Sequence, residues 1–398
     1  MAEKIMTPEE YYKKVSKDDK DAILDFSKRK KIDFIPTGSW VINSLIGDGT
    51  LTGKPGGLPR GHIVEAFGDE SSGKSTFALS ACKQVQEMGG LPVYLDFEQT
   101  FHPIYAERIG LNLDKNKFMV LQPRDFQQGA RIIFDTLRMK PHLIVVDSVS
   151  AMIPKQVMEG DIDEGGRIGL QAQLMSGMLS YISKFLSDSN ACLLFLNQLR
   201  TVIKKNKYDT GPDEESSGGW ALKFYSSVRL KFKKSTVEKV EVKSKTTGKL
   251  DKEPINVMIK ATVVKNKIDK PYYSSPVYIR FGEGYDNILS IIELATNTGV
   301  IKKSGAFLTF EQGEHVLAKA QGREQLWKLL HDDHKLFGKL RESLVLKQDE
   351  QAKDDYSKFN EVVENGGVDK IDSVLDNIAT NFIEKETVKK ARKKETSD

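Results

Sequence analysis

Apolar runs at Ile63–Phe67, Val93–Phe97, Met119–Leu121, Leu143–Val146 and Ala191–Leu196 alternate with helical stretches such as Ser75–Met88 and Phe126–Met139. A chain that alternates strand and helix buries both kinds of apolar face by laying helices over a mostly parallel sheet. Ligands of such sheets sit at the carboxyl ends of the strands. The expected class is therefore α/β. Val228–Phe232, Asn256–Val264 and Val277–Phe281 follow with no long helix between them, and are expected as antiparallel strands added to one edge.

The first strand runs directly into Gly68-Asp69-Glu70-Ser71-Ser72-Gly73-Lys74-Ser75, followed by Thr76 and a helix. This is the G-x-x-x-x-G-K-[ST] phosphate loop. Its glycines let backbone N–H groups turn inward around phosphate oxygens, and the positive end of the next helix faces them. Lys74 reaches the β- and γ-phosphates, and the Ser75 hydroxyl ligates Mg²⁺. Leu143-Ile-Val-Val-Asp147 is a buried strand ending in a carboxylate, the form that holds Mg²⁺ or its water beside the loop. A P-loop nucleoside triphosphatase binding ATP and Mg²⁺ is expected, with Ser75 and Asp147 as metal ligands.

Hydrolysis also needs a group that orients or deprotonates water. Tyr94-Leu-Asp96-Phe-Glu98 places two acids at the end of the next strand. Alternation puts both on one face, so one is expected to be structural and one catalytic. Asn197-Gln198 ends another strand at the same sheet edge. There an amide either senses the γ-phosphate or caps the local backbone.

The chain has 398 residues, room for two or three domains. Its net charge of +4 makes any nucleic-acid surface local rather than global. No apolar run reaches the roughly 20 residues of a membrane helix. The opening MAEKIMTPEEYYKK lacks the apolar segment of a secretory signal. The two cysteines, Cys82 and Cys192, lie in apolar patterns and read as core thiols. No membrane and a cytoplasmic location are expected.

Three further segments are distinctive. Thr7-Pro8-Glu9-Glu10 reads as a capping box opening a charged helix. Lys231–Lys260 holds nine lysines against four acids and, with a turn at Thr247-Gly248, reads as a basic hairpin. The tail is acidic over Lys347–Glu386 and basic over Thr387–Asp398, with a helical apolar stripe at Val368, Ile371, Leu375, Ile378 and Phe382. His331-Asp-Asp-His334 has the look of a metal cluster without supporting ligands and reads as a solvated face.

Taken together and in order, GDESSGKST, YLDFEQTFHPIYAERIG, LIVVDSVSAMIPK, LLFLNQLR, SSGGWALKFYSSVRL, VVKNKI and FGEG resemble the bacterial RecA recombinase family, phage-encoded and divergent members included. The resemblance spans about Ile35 to Leu346. It implies a RecA-type P-loop core with an N-terminal docking arm and a small C-terminal α/β domain. The implied divisions are 1–34 (arm), 35–287 (ATPase core), 288–346 (C-terminal domain) and 347–398 (charged tail with basic tip). The implied activity is a DNA-stimulated ATPase that polymerises as a helical filament on single-stranded DNA, with ATP at subunit interfaces, and exchanges strands with double-stranded DNA. An accessory mediator protein is a candidate further partner, and the place of action would be the bacterial or host cytoplasm at the nucleoid.

Carried over by position, Glu98 would be the general base and Gln198 the γ-phosphate switch. Tyr105 would stack on adenine with His102 beside it. Lys265 and Lys267 would reach a neighbour's γ-phosphate in trans, as an arginine finger does, and Phe224 would pack into the adjacent protomer. Two loops would face DNA. One spans about 156–168 with Arg167. The other spans about 199–219 with Arg200, Lys204, Lys205, Lys207, Tyr208, Ser217, Gly218 and Gly219, its bases neutralising phosphates and its small residues offering backbone amides. The chain departs from the family pattern at Gln173 and Ser180, where arginines are usual, and at Trp220, where a small polar residue is usual. It also departs in the longer Gly47–Gly57 segment, the enlarged Lys233–Glu253 hairpin and the long tail. Two other readings share the fold or the ligand. One is a ring-forming helicase-like DNA motor, and the other a non-enzymatic single-strand-binding mediator that holds ATP structurally.

Overall fold

The computed structural model describes residues 7–18, 32–47, 56–159, 169–201, 214–243 and 250–347. The apolar stripe of the tail, the Thr247-Gly248 turn, Arg167, Lys204, Lys205, Lys207 and Tyr208 lie outside them. The chain divides between Asp33 and Phe34. In the first unit, Pro8–Asp18 is helical. Its capping box is closed in both directions: Thr7 N–H donates to Glu10 Oε2 at 2.9 Å, and Glu10 N–H donates to Thr7 Oγ1 at 3.3 Å.

The second unit is built on a ten-stranded sheet. A two-residue ladder precedes it, β1 (Phe34–Ile35) antiparallel to β2 (Leu58–Pro59). The sheet comprises β3 (Ile63–Gly68), β4 (Pro92–Asp96), β5 (Met119–Leu121), β6 (Leu143–Asp147), β7 (Cys192–Thr201), β8 (Glu214–Ser216), β9 (Val228–Lys243), β10 (Leu250–Asn266), β11 (Ser274–Arg280) and β12 (Gly284–Tyr285). Their spatial order is β12-β11-β10-β9-β3-β7-β6-β4-β5, with β8 paired to β7. From β9 to β5 every pairing is parallel, while β10, β11 and β12 add antiparallel at one side.

One expectation changes here. Val228–Phe232 belongs to the parallel block, because the short helix Gly219–Tyr225 carries the chain back across the sheet to lay β9 alongside β3. Only its second pairing, with β10, is antiparallel.

The central strands read as continuous apolar runs because both faces are covered. On one side Val64, Ala66, Leu194, Leu196, Leu230 and Phe232 pack with Phe77, Ala81, Cys82 and Val85 of the helix Lys74–Glu87. On the other, Leu95, Ile144, Val146, Leu193 and Phe195 pack with helices Phe126–Arg138 and Leu170–Ser189. Cys82 and Cys192 are free and fully buried, and burial pushes both thiols up.

Beyond the sheet, the helix Asn287–Asn297 is capped by Asp286, whose Oδ1 accepts from Leu289 N–H at 2.9 Å. It is followed by the antiparallel strands β13 (Ile301–Ser304), β14 (Phe307–Gln312) and β15 (His315–Gln321), then by the helix Gly322–Asp332. Their apolar side chains, Ile292, Ile301, Phe310 and Leu330 among them, join the first of the two cores. The exposed His331 stacks on Trp327, and among the described residues no cluster of three or more His, Cys, Asp or Glu side chains is arranged to hold a metal. The basic hairpin is real in its described part. β9 and β10, of 16 and 17 residues, stay paired as far as Lys243 opposite Leu250. Gly68, the last residue of β3, already lies opposite Phe232, so the ribbon continues well past the carboxyl edge of the sheet.

Candidate active site

The phosphate loop occupies the turn between β3 and the helix Lys74–Glu87. Gly73 takes φ +88° and Ser71 φ +57°, left-handed conformations that wind the loop. Gly68 is required for space: a Cβ there would lie 2.0 Å from the Phe232 carbonyl oxygen. Gly68→Ala is therefore expected to force β3 and β9 apart, lowering the thermal midpoint and weakening ATP binding more than tenfold in a nucleotide titration. Gly177→Ala, with open space around it in the helix Leu170–Ser189, should do neither.

Lys74 Nζ folds back over the loop and donates to the carbonyls of Gly68 at 3.0 Å and Asp69 at 2.6 Å. Burial pulls its pKa below the ordinary lysine value, and the charges of Asp147, Glu98, Asp69 and Glu70 oppose that fall. The Ser72 hydroxyl is buried with no hydrogen-bond partner among the described residues. Ser75 Oγ donates to Asp147 Oδ2 at 3.2 Å. Asp147 also accepts from the Tyr94 hydroxyl. Burial pushes the Asp147 carboxyl up to about 6; the Tyr94 hydrogen bond opposes this, and the Glu98 charge adds to it. A hydroxyl with nothing to bond, an ammonium bent onto carbonyls and a serine–carboxylate pair are the groups a Mg²⁺-triphosphate would engage. The residues fit it.

The two acids after the β4 core separate. Asp96 is buried, and its oxygens accept from Thr100 N–H at 3.2 Å, Phe101 N–H at 3.0 Å and Gln122 Nε2 at 3.1 Å. The strand ends at Asp96, so alternation no longer governs Glu98, and the two acids meet different partners. Glu98 Oε1 accepts from the Ser148 hydroxyl and from Gln198 Nε2 at 2.9 Å. The amide of Gln198 thus points at a carboxylate rather than capping backbone.

Tyr105 is brought to the loop as well, its hydroxyl 2.7 Å from Thr76 Oγ1. His102 caps the helix Pro103–Ile109, Nδ1 accepting from Tyr105 N–H at 3.2 Å. Lys265 and Lys267 are not brought to the phosphate loop of their own chain. Lys265 lies opposite Arg229, which is level with Glu65 three residues before Gly68. Its Nζ donates to the carbonyls of Lys223 at 2.7 Å and Phe224 at 3.0 Å. Burial first, then the charges of Lys267 and Arg229, lower its pKa. Phe224 stays 66 % exposed, with Trp220 beside it at a ring separation of 6.1 Å.

Of the DNA-facing candidates, Arg200 is exposed on β7 opposite Glu215. Ser217 has a buried hydroxyl without a partner among the described residues. Gly218 and Gly219, at φ +85° and +72°, let the short helix pack on Val149 and Ala172. Gln173 and Ser180 are exposed on the helix Leu170–Ser189. Sequence reasoning missed Tyr94, Ser148 and Glu65. Glu65 alone left a signal, the single charge in the apolar run Ile-Val-Glu-Ala-Phe.

The RecA N-terminal domain family matches residues 9–286 of this chain. The chain belongs to the RecA family. Protein RecA of Thermus aquaticus is 35 % identical over 333 residues, which cover 83 % of this chain and 90 % of that one. Protein RecA of Thermus thermophilus is 35 % identical over 323 residues, 81 % and 87 % of the two chains. Protein RecA of Chlorobaculum tepidum is 37 % identical over 321 residues, 80 % and 85 %. As a RecA-family chain the protein is an ATP- and DNA-binding recombinase in the general sense of that family. Among its described residues no helix is long and apolar enough to cross a membrane.

Proposed function

We propose that the protein is a DNA-stimulated ATPase that assembles as a helical filament on single-stranded DNA and exchanges strands with a homologous duplex. The observation that carries this reading is the Gln198–Glu98 hydrogen bond at the mouth of the phosphate loop. It joins the residue that would activate water to the last residues of β7 before segment 202–213, which holds Lys204, Lys205 and Lys207. A group that feels the γ-phosphate is thereby continuous in sequence with the segment that would feel DNA.

In this reading Glu98 takes the proton of the attacking water, and Gln198 exchanges Glu98 for the γ-phosphate. Lys74 neutralises the phosphates, with the amides of Gly68–Thr76 around them. Ser75 and Asp147 would hold Mg²⁺, which would supply further positive charge to the phosphates. Tyr105 and His102 flank the base. Lys265 and Lys267, remote from their own loop, serve the neighbour's site, and the exposed Phe224 ring enters the neighbouring protomer. Arg167, Arg200, Lys204, Lys205, Lys207, Tyr208, Ser217, Gly218 and Gly219 contact DNA. We divide the chain into a docking arm to residue 34, an ATPase core to 287, a C-terminal domain to 346 and a charged tail. The tail is offered to duplex DNA or a mediator protein, and the protein acts in the cytoplasm at the nucleoid.

Electron microscopy with single-stranded DNA and a slowly hydrolysed ATP analogue tests the assembly. Continuous helical filaments are expected. Closed rings would transfer the same site to a helicase-like motor.

A further inference from the structure

Glu65 lies in the middle of β3 and is fully buried. An ionised carboxylate inside a core costs several kcal/mol unless its oxygens are met by strong donors. Both are met. Arg229 Nε donates to Oε2 at 2.5 Å, and Asn197 Nδ2 donates to Oε1 at 2.9 Å. The two partners lie on the strands flanking β3, β7 on one side and β9 on the other.

Each partner reaches on to something the nucleotide reading needs. Asn197 Oδ1 accepts the backbone N–H of Gln198 at 2.9 Å, and its Nδ2 also donates to the Ser217 carbonyl at 2.8 Å. Asn197 therefore grips the residue just before the 199–219 segment and one of the residues that close it. Arg229 Nη2 reaches Ser216 Oγ at 3.5 Å, and its guanidinium lies 4.5 Å over the ring of Phe67, the residue before the phosphate loop. Across the β9–β10 ladder Arg229 faces Lys265, whose ammonium holds the last carbonyls of the helix bearing Phe224. One buried carboxylate thus stands at the junction of the sensor residue, both ends of the DNA-facing segment and the strand of the trans lysine.

Stability alone gives no reason for such a group, since well-packed apolar residues replace buried ion pairs at little or no cost. Orientation does. A shift of the strand end accompanying departure of the Gln198 amide from Glu98 would move the Gln198 backbone N–H that Asn197 accepts. Asn197 then carries that shift to the Ser217 carbonyl only while Glu65 holds its amide in place. We infer that Glu65 is a positioning residue that couples the state of Gln198 to the 199–219 segment and to Lys265. This inference rests on the reading of Gln198 as the γ-phosphate sensor.

The experiment measures how much more tightly the full chain binds single-stranded DNA with a slowly hydrolysed ATP analogue than with ADP, a ratio that reports coupling rather than folding. Glu65→Gln keeps the acceptor for Asn197 but sets an amide N–H against Arg229. Its ratio is expected to fall at least tenfold, with ATP affinity within about threefold of the parent chain. The double variant Glu65→Leu/Arg229→Met removes the pair without stranding a buried charge, so it covers the case in which Glu65→Gln does not fold. It too should have lost the coupling. A parent-like ratio in either folded variant overturns the inference. Gln198→Ala, measured in parallel, separates the two levels. If it loses coupling while the Glu65 variants keep it, only the role of Glu65 falls. If Gln198→Ala keeps it, the sensor reading and the inference fall together.

Discussion

Lys74→Ala should lower ATP affinity on the order of a hundredfold or more and abolish nucleotide-dependent assembly on single-stranded DNA. The charges that bear on the Lys74 ammonium are all negative: Asp147, Glu98, Asp69 and Glu70. Without the ammonium, a triphosphate would enter a field set by four carboxylates. A hydrogen bond to a charged group contributes about 1.5–3 kcal/mol, and about 1.4 kcal/mol is a factor of ten in affinity. The lost attraction and the uncovered repulsion together reach the expected size. The substitution also frees the carbonyls of Gly68 and Asp69, which Lys74 now binds, so the loop itself loosens. A fluorescent-nucleotide titration reads the first effect and electron microscopy the second. Normal ATP-dependent filaments from this variant would contradict the phosphate-loop assignment.

Glu98→Gln should slow hydrolysis by roughly 10²–10⁴-fold, the usual contribution of a positioned base, while ATP and single-stranded DNA still bind. The geometry explains why the two effects separate. Both donors to Glu98, the Ser148 hydroxyl and the Gln198 amide, arrive at the same oxygen, Oε1. A glutamine oxygen can accept both, so the local arrangement survives; what disappears is the second oxygen's capacity to take a proton. Phosphate release and nucleotide binding, measured on the same preparation, check the two halves. Unimpaired turnover would remove the base from Glu98. Asp96 could not inherit the role without giving up the Thr100, Phe101 and Gln122 donors that fill its oxygens.

The phosphate loop was legible in the sequence because its chemistry is local: eight consecutive residues supply the glycines, the lysine and the hydroxyl, and the strand before and helix after follow from periodicity. Asp147 was legible for the same reason, closing an apolar run. The division of labour between Asp96 and Glu98 was only half legible. A period of two holds while the strand lasts, and this strand ends at Asp96. Tyr94 and Ser148 escaped notice because their partners are 53 and 50 residues distant along the chain, a separation no local pattern records. Glu65 is the extreme case, its partners lying 132 and 164 residues away. The direction of β9 was missed for a related reason. Three strands without long helices between them look like a meander, and only the pairing partner on the far side, β3, decides otherwise.

The position of β3 between β7 and β9 has a consequence for how this chain comes to be folded. The strand that feeds the phosphate loop is made early in synthesis, yet both of its neighbours belong to much later sequence, ending at Thr201 and Lys243. Long-range pairing of this kind must meet its loop-closure entropy before any contact repays it, which makes such topologies slow to form. Until β7 has left the ribosome, the emerging chain presents Ile63–Gly68 with both edges unpaired, and one edge stays open until Val228–Phe232 has followed. A nascent chain in that condition is a natural client for a chaperone, and truncations that end before β9 should collect as insoluble material rather than as a smaller working ATPase.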